Sequence, residues 1–199
     1  MKFLSLCLLV VFLNSCSLAP MSMNTSGRSY GAGKLQSEVG NVNSTYHLKF
    51  GLGVTENFDA GFLLEFGAIS TSALFFKYSF INNPTGFSLA TDLGYGSTES
   101  TRFYYLGTIA SIAFTNEFEL FTAARINIVN TDEADIEKDE FNGNVKILAY
   151  DVNYLQLAYG MNLWFSQNTG LTLYSMHFRG DDIETSQDST FGASFMFKY

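Results

Sequence analysis

Few side chains in this sequence have the chemistry for catalysis. There are two histidines, His47 and His177. Ser175, His177, Asp181 and Asp182 fall close together, which raises a hydrolase with a histidine working between a hydroxyl and an acid. The same residues also fit a strand end followed by a solvated acidic loop. No Gly-rich phosphate loop, nucleophile elbow or zinc spacing accompanies them. We expect no catalytic residue, no metal site and no cofactor.

The acids are more telling than the histidines. Asp132, Glu133, Asp135, Glu137, Asp139 and Glu140 are opposed only by Lys138. Asp181, Asp182, Glu184 and Asp188 are opposed only by Arg179. These two segments account for the whole net charge of −8. The rest of the chain, with nine acids and nine bases, is neutral. The first run lacks the alternating Asp and Gly order of a calcium-binding loop. It could gather divalent cations diffusely or bridge lipopolysaccharide, and it equally reads as a solvated loop.

Composition narrows what can carry these groups. The 199 residues are 47% hydrophobic and 16% aromatic, with 20 Phe and 11 Tyr, but only 15% charged. That excludes a disordered chain, which is poor in aromatics. It excludes a coiled coil, and the acidic balance gives no footprint for nucleic acid.

The N-terminus reads as an address. Lys2 precedes an apolar run over 3–13, too short for a spanning helix but suited to a secretory signal. Leu13-Asn14-Ser15-Cys16 follows. This stretch resembles the lipobox of bacterial lipoproteins, which implies cleavage before Cys16 and its acylation. Ser17, rather than Asp, resembles the sorting residue of outer-membrane lipoproteins. We therefore expect a signal peptide over 1–15. Residues 16–33, small and polar, read as a flexible linker running from a lipid anchor on the periplasmic side. Cys7 would leave with the signal, and no thiol would remain for a disulfide.

From residue 34 the hydrophobic period is two, not 3.6. Ten strands follow, over 34–40, 46–54, 58–66, 74–80, 87–95, 104–114, 118–128, 155–165, 171–178 and 190–199. Both prolines, Pro20 and Pro84, fall outside them, as a sheet demands. Short Asn-, Gly- and Pro-containing turns alternate with longer, more acidic loops, and 130–150 reads as the longest loop.

Alternation does not say which face meets solvent. A soluble barrel with an apolar ligand inside would alternate too. Three features favour a membrane. Phe58, Phe80, Phe87, Phe114, Phe118 and Phe165 sit at strand ends beside short turns, all with the apolar parity, like an interfacial girdle. Tyr46, Phe66, Tyr95 and Tyr104 mark the opposite rim. The polar face carries glycines and a balanced charge set: Lys34, Lys49, Lys77, Arg125 and Lys198 against Glu38, Asp59, Glu65, Asp92 and Glu119. Such charges suit a narrow lumen and must pair there. Last, the chain ends on alternating aromatics, Phe195, Phe197 and Tyr199.

In that ending and in its overall pattern the sequence resembles the small bacterial outer-membrane β-barrel family. The resemblance implies that Phe195, Phe197 and Tyr199 are read by the barrel-assembly machinery. The expected fold is all-β, a closed antiparallel up-and-down transmembrane β-barrel of about ten strands over 34–199, in contact with outer-membrane lipid. Its expected role is structural, surface-interacting or that of a minor pore, with a plugged lumen preferred over an open one. The alternatives are a periplasm-facing lipoprotein with a soluble barrel or sandwich for an apolar ligand, and an outer-membrane hydrolase using His177.

Overall fold

A computed structural model describes residues 19–67, 70–98, 100–131, 134–137, 144–147, 150–180 and 189–199. The signal peptide, Cys7, Cys16, and Asp181, Asp182, Glu184 and Asp188 lie outside them. So do the side chains of the 132–140 acidic run.

Twelve strands are present among the described residues: β1 (Leu35–Val42), β2 (Thr45–Gly53), β3 (Phe58–Phe66), β4 (Thr71–Ile81), β5 (Gly86–Ser97), β6 (Thr101–Ala113), β7 (Phe118–Thr131), β8 (Ala134–Glu137), β9 (Asn144–Ile147), β10 (Tyr150–Trp164), β11 (Thr169–Arg179) and β12 (Thr190–Lys198). Ten of them close into an antiparallel barrel, each beside its neighbour in sequence, with β7 beside β10 and β12 returning to β1. At the seam Leu35 and Tyr199 exchange backbone hydrogen bonds of 3.3 and 2.9 Å. Strands β8 and β9 form a separate hairpin inside the β7–β10 connection. The sequence reads as a long acidic loop there. Its charged stretch carries no period-two apolar signal to announce a strand pair.

Three of the four short turns share one device. Thr55 Oγ1 accepts from the backbone N–H of Asn57 (3.3 Å) and Phe58 (3.0 Å). Thr115 does the same for Glu117 and Phe118, both at 3.1 Å. Ser166 does it for Asn168 (3.2 Å) and Thr169 (3.0 Å). A hydroxyl that satisfies two backbone donors sets each hairpin locally, with no tertiary contact.

Side chains alternate across the wall, most regularly on β4 to β7. On β4, positions 71, 73, 75, 77 and 79 are buried while 72, 74, 76, 78 and 80 are exposed. The exposed row is the apolar one: Leu74, Phe76, Tyr78 and Phe80 are 39–62% exposed. The inward row includes Lys77, 1% exposed. A soluble fold wets its charges and hides its apolar rings; here the lumen charges are buried and a belt of rings faces outward, although Phe75, Phe103 and Phe121 are buried inside. An apolar outer belt round a closed sheet is what a bilayer requires, since no strand edge is left unpaired in lipid. All six predicted girdle phenylalanines have the outward parity. Phe58 and Phe118 are half-covered because they stack on Phe76 (6.2 Å) and Phe114 (5.6 Å). Phe195, Phe197 and Tyr199 also point outward.

The largest departure from the sequence reading concerns residues 19–33. They are not a free linker. They enter the barrel at the short-turn end and run up the lumen, so that Ala19, Met21, Ser22, Met23, Asn24 and Thr25 are all at most 5% exposed. Small polar residues are the composition of a linker, and equally the composition that fits a narrow polar bore. Only the walls distinguish the two.

The belt makes a testable demand. Phe62, mid-way along β3 and 42% exposed, should tolerate Leu but not Arg. Arg at mid-depth should cost about 2–4 kcal/mol in urea unfolding from lipid vesicles. A soluble protein would show no penalty for Phe62→Arg.

Candidate functional site

The lumen holds the polar chemistry of the molecule, and each strand delivers it by parity. Glu38, Lys49, Asp59, Glu65, Lys77, Asp92, Glu119 and Arg125 all point inward and are at most 4% exposed. Two of the expected lumen charges do not join them. Lys34 precedes β1 and is exposed at the short-turn mouth. Lys198, half-buried at the same mouth, lays its ammonium 3.5 Å from the centre of the Trp164 ring. Both lie where the strand pattern ends, so parity no longer fixes their direction.

The wall pairs only part of this charge with itself. Lys49 meets Glu38 at 2.5 Å, and Lys77 meets Asp59 at 3.0 Å. Glu38 also accepts from Ser194 (2.6 Å) and lies 3.3 Å from His47 Nε2. Ser194 therefore donates to the carboxylate and not to the histidine, so no hydroxyl–imidazole pair is set up there.

The remaining charges turn to the N-terminal segment. Glu65 accepts from the backbone N–H groups of Met21 (2.9 Å) and Ser22 (2.7 Å) and from the Ser22 hydroxyl (2.7 Å). Arg125 donates to the carbonyls of Pro20 and Ser22 and to Gln156 Oε1 (3.0 Å), while Gln156 donates to Met21 O (2.7 Å). Asp92 accepts from Asn24 (3.1 Å). Lys49 reaches Met23 O (3.0 Å), and Asn162 reaches Thr25 O (2.8 Å). Glu119 accepts from Ser26 and Arg28, both at 2.8 Å. Asp59 accepts from the Ser29 hydroxyl (2.6 Å), and Lys77 donates to Arg28 O (2.6 Å). Segment and wall thus share most of their polar groups, though Asn24 Oδ1 and Asp92 Oδ1 stay buried without a hydrogen-bond partner.

Room for the segment comes from missing side chains. A Cβ on Gly51 would run into the Tyr30 ring, and one on Gly53 into the backbone of Gly31. Tyr30 in turn covers Lys77, 4.4 Å from its ring centre. Beside the lower half of the segment, open to the short-turn mouth, a vestibule of about 800 Å³ remains, lined among others by Asn24, Arg28, Lys49, Glu119, Trp164 and Lys198.

No protein-family profile and no curated protein sequence matches this chain. Among solved structures, the fold is similar to the KdgM porin in complex with disordered oligogalacturonate (TM-score 0.47, 8% identity, 83% of this chain and 99% of that one). It is similar to the NanC porin (0.48, 8%, 84% and 100%) and to Neisserial surface protein A (0.39, 14%, 89% and 100%). At such values we take nothing from them beyond the likeness, and the fold rests on its own strand pairing.

The site bears on the alternatives. A binder of apolar ligands needs an open apolar bore, whereas this one sets buried charges between its apolar clusters and its upper part is filled by chain. His177 is half-buried on the outward face, its ring 3.1 Å from the Tyr159 hydroxyl and stacked on it at 5.5 Å. Ser175 shares that outward parity. Among the described residues no group of three or more His, Cys, Asp or Glu could hold a metal.

Sequence reasoning found the lumen acids and bases by parity but missed Asn24, Arg28, Tyr30, Gln156 and Asn162. One signal was available: Arg28 is a lone charge in an otherwise neutral 17–33 stretch. The network has a measurable asymmetry. Lys49→Met strands Glu38 and should cost about 3–5 kcal/mol, and the double change Glu38→Gln with Lys49→Met should recover most of it. Urea unfolding of the three variants checks this.

Proposed function

We propose that the protein is a small bacterial outer-membrane barrel that rests closed, stoppered by its own residues 19–33, and acts structurally and through its surface loops. The observation that supports this is the exchange of hydrogen bonds between the lumen charges and the segment backbone. A conducting bore needs hydrated, free charge, and here each such group is occupied by protein. Acylation of Cys16 belongs to the same reading and rests on the lipobox spacing.

Opening would require the segment to leave. Glu65, Arg125 and Asp92 would then line a short polar channel, with both signs present and no ring of one sign to select an ion. A minor, poorly selective pore is thus the state reached on removal of the segment, and the closed barrel is the resting one.

Planar-bilayer recording tests this. The full chain should give no steady large-step conductance. A variant lacking residues 19–30 should give one, provided heat-modifiable gel mobility shows that it folds. Where the deletion does not fold, Arg28→Ala with Glu65→Ala should give flickering openings. Steady conductance from the unaltered protein would overturn the closed resting state.

A further inference from the structure

The vestibule at the short-turn mouth holds positive charge that the fold leaves unanswered. Its volume of about 800 Å³ falls in the range of small-molecule sites. The seated segment between Asn24 and Gly31 forms its inner wall, and turn residues such as Glu56, Asn116 and Gln167 frame its opening. Of the bases that line it, Arg28, Lys49 and Lys77 are already paired, with Glu119, Glu38 and Asp59. Lys34 and Lys198 enter no ion pair among the described residues. Lys198 is repelled by Arg28, Lys34 and Lys77 and attracted by Glu119, whose carboxylate already serves Ser26, Arg28 and Asn162. The other lining acids, Glu56 and Glu117, are exposed on turns at the rim and pair with neither lysine.

What Lys198 has instead is a ring. Trp164 stands opposite Gly170 in the β10–β11 ladder, and a Cβ on Gly170 would come within 2.8 Å of the indole. The missing side chain lets the ring lie against β11. Lys198 rests on that ring, its ammonium 3.5 Å from the ring centre. A ring face holds an ammonium less strongly than a carboxylate or phosphate does. The indole N–H is itself buried without a hydrogen-bond partner, a costly state for a donor. Two ammonium groups and one N–H therefore border a single cavity that offers them no free acceptor.

We propose that this vestibule binds a small oxyanion, a carboxylate or phosphate compound, gripped by Lys34 and Lys198 with the Trp164 indole N–H as a third donor. In the empty site Lys198 lies on the ring. In the filled one its ammonium turns to the anion and uncovers the indole. The short turns of a membrane barrel face the periplasm, so the ligand enters from that side. The seated segment closes the inner end, which makes the site a pocket and not a passage.

Trp164 is the single tryptophan of the chain, so its emission reports this site and no other. The test titrates the full chain, folded in zwitterionic micelles, with citrate and with inorganic phosphate at constant ionic strength. We expect a saturable change in Trp164 emission, and the anion that produces it at the lower concentration identifies the carboxylate or the phosphate as the preferred group. Calorimetric titration of Lys34→Gln with Lys198→Gln should show affinity at least tenfold weaker. Where heat-modifiable gel mobility shows that this pair does not fold, Lys34→Glu, which leaves the C-terminal strand intact, should weaken binding at least fivefold. Trp164→Phe keeps a ring and loses the N–H, and should weaken it at least threefold; equal binding overturns the part given to the indole. No saturable change with either anion, the same change with chloride, or undiminished binding by the folded lysine variants overturns the site. None of these outcomes touches the closed resting state, which the conductance of the full chain decides.

Discussion

Everything in this barrel follows from the need to neutralise charge inside a narrow, closed wall. Lipid outside forces the apolar face outward, so the charged side chains within the apolar depth of the wall are directed inward, and Arg102, Asp151 and Arg179 are exposed only near the loop end. Where the segment is seated, the bore of a ten-stranded barrel has little room left for water. An ion left there without partners is costly. The wall supplies two direct pairs, Glu38–Lys49 and Asp59–Lys77. Glu65, Asp92, Glu119 and Arg125 find their neutral or charged partners on residues 20–28. The segment is thus the missing part of the lumen's hydrogen bonding, and the charges are the reason the segment stays.

The same constraint explains which parts of the structure could be read in the sequence. Period-two patterning is imposed by two different solvents on the two faces, so it is written at nearly every strand position. Strand β3 was anticipated at its observed limits, 58 and 66. Other strands extend further at the loop end: β6 begins at Thr101 rather than 104, and β7 ends at Thr131 rather than 128. There the wall has left the apolar depth of the bilayer, and the outward row no longer needs to be greasy. Arg102 and Asn130 stand opposite each other on that outer face.

Residues 19–33 escaped the reading for a physical reason. Their backbone is what the lumen recognises: the N–H groups of Met21 and Ser22, and the carbonyls of Pro20, Ser22, Met23 and Thr25. Backbone groups are the same in every residue, so no side-chain pattern reports them. The glycines at 51 and 53 did carry part of the message, since they marked a crowded face. What crowded it, Tyr30 and Gly31, could be named only once the chain was seen to double back.

The segment also has a place in the order of folding. Its bonds to β7 and β10 join residues far apart in the chain: Ser22 to Arg125, Met21 to Gln156, Thr25 to Asn162, separations of 103 to 137. Such contacts close very long loops and cannot form before both sides of the barrel stand in place. The turns hold the opposite position, because Thr55, Thr115 and Ser166 act within three residues of themselves. Hairpins therefore come early, and the seated segment comes last. Interactions made after the transition state slow unfolding and leave the folding rate nearly unchanged. By this logic the segment acts as a late clasp. It ties β2, β3, β4, β5, β7 and β10 across the bore, and the barrel wall cannot open at any one of them without first giving up a buried ion's partner.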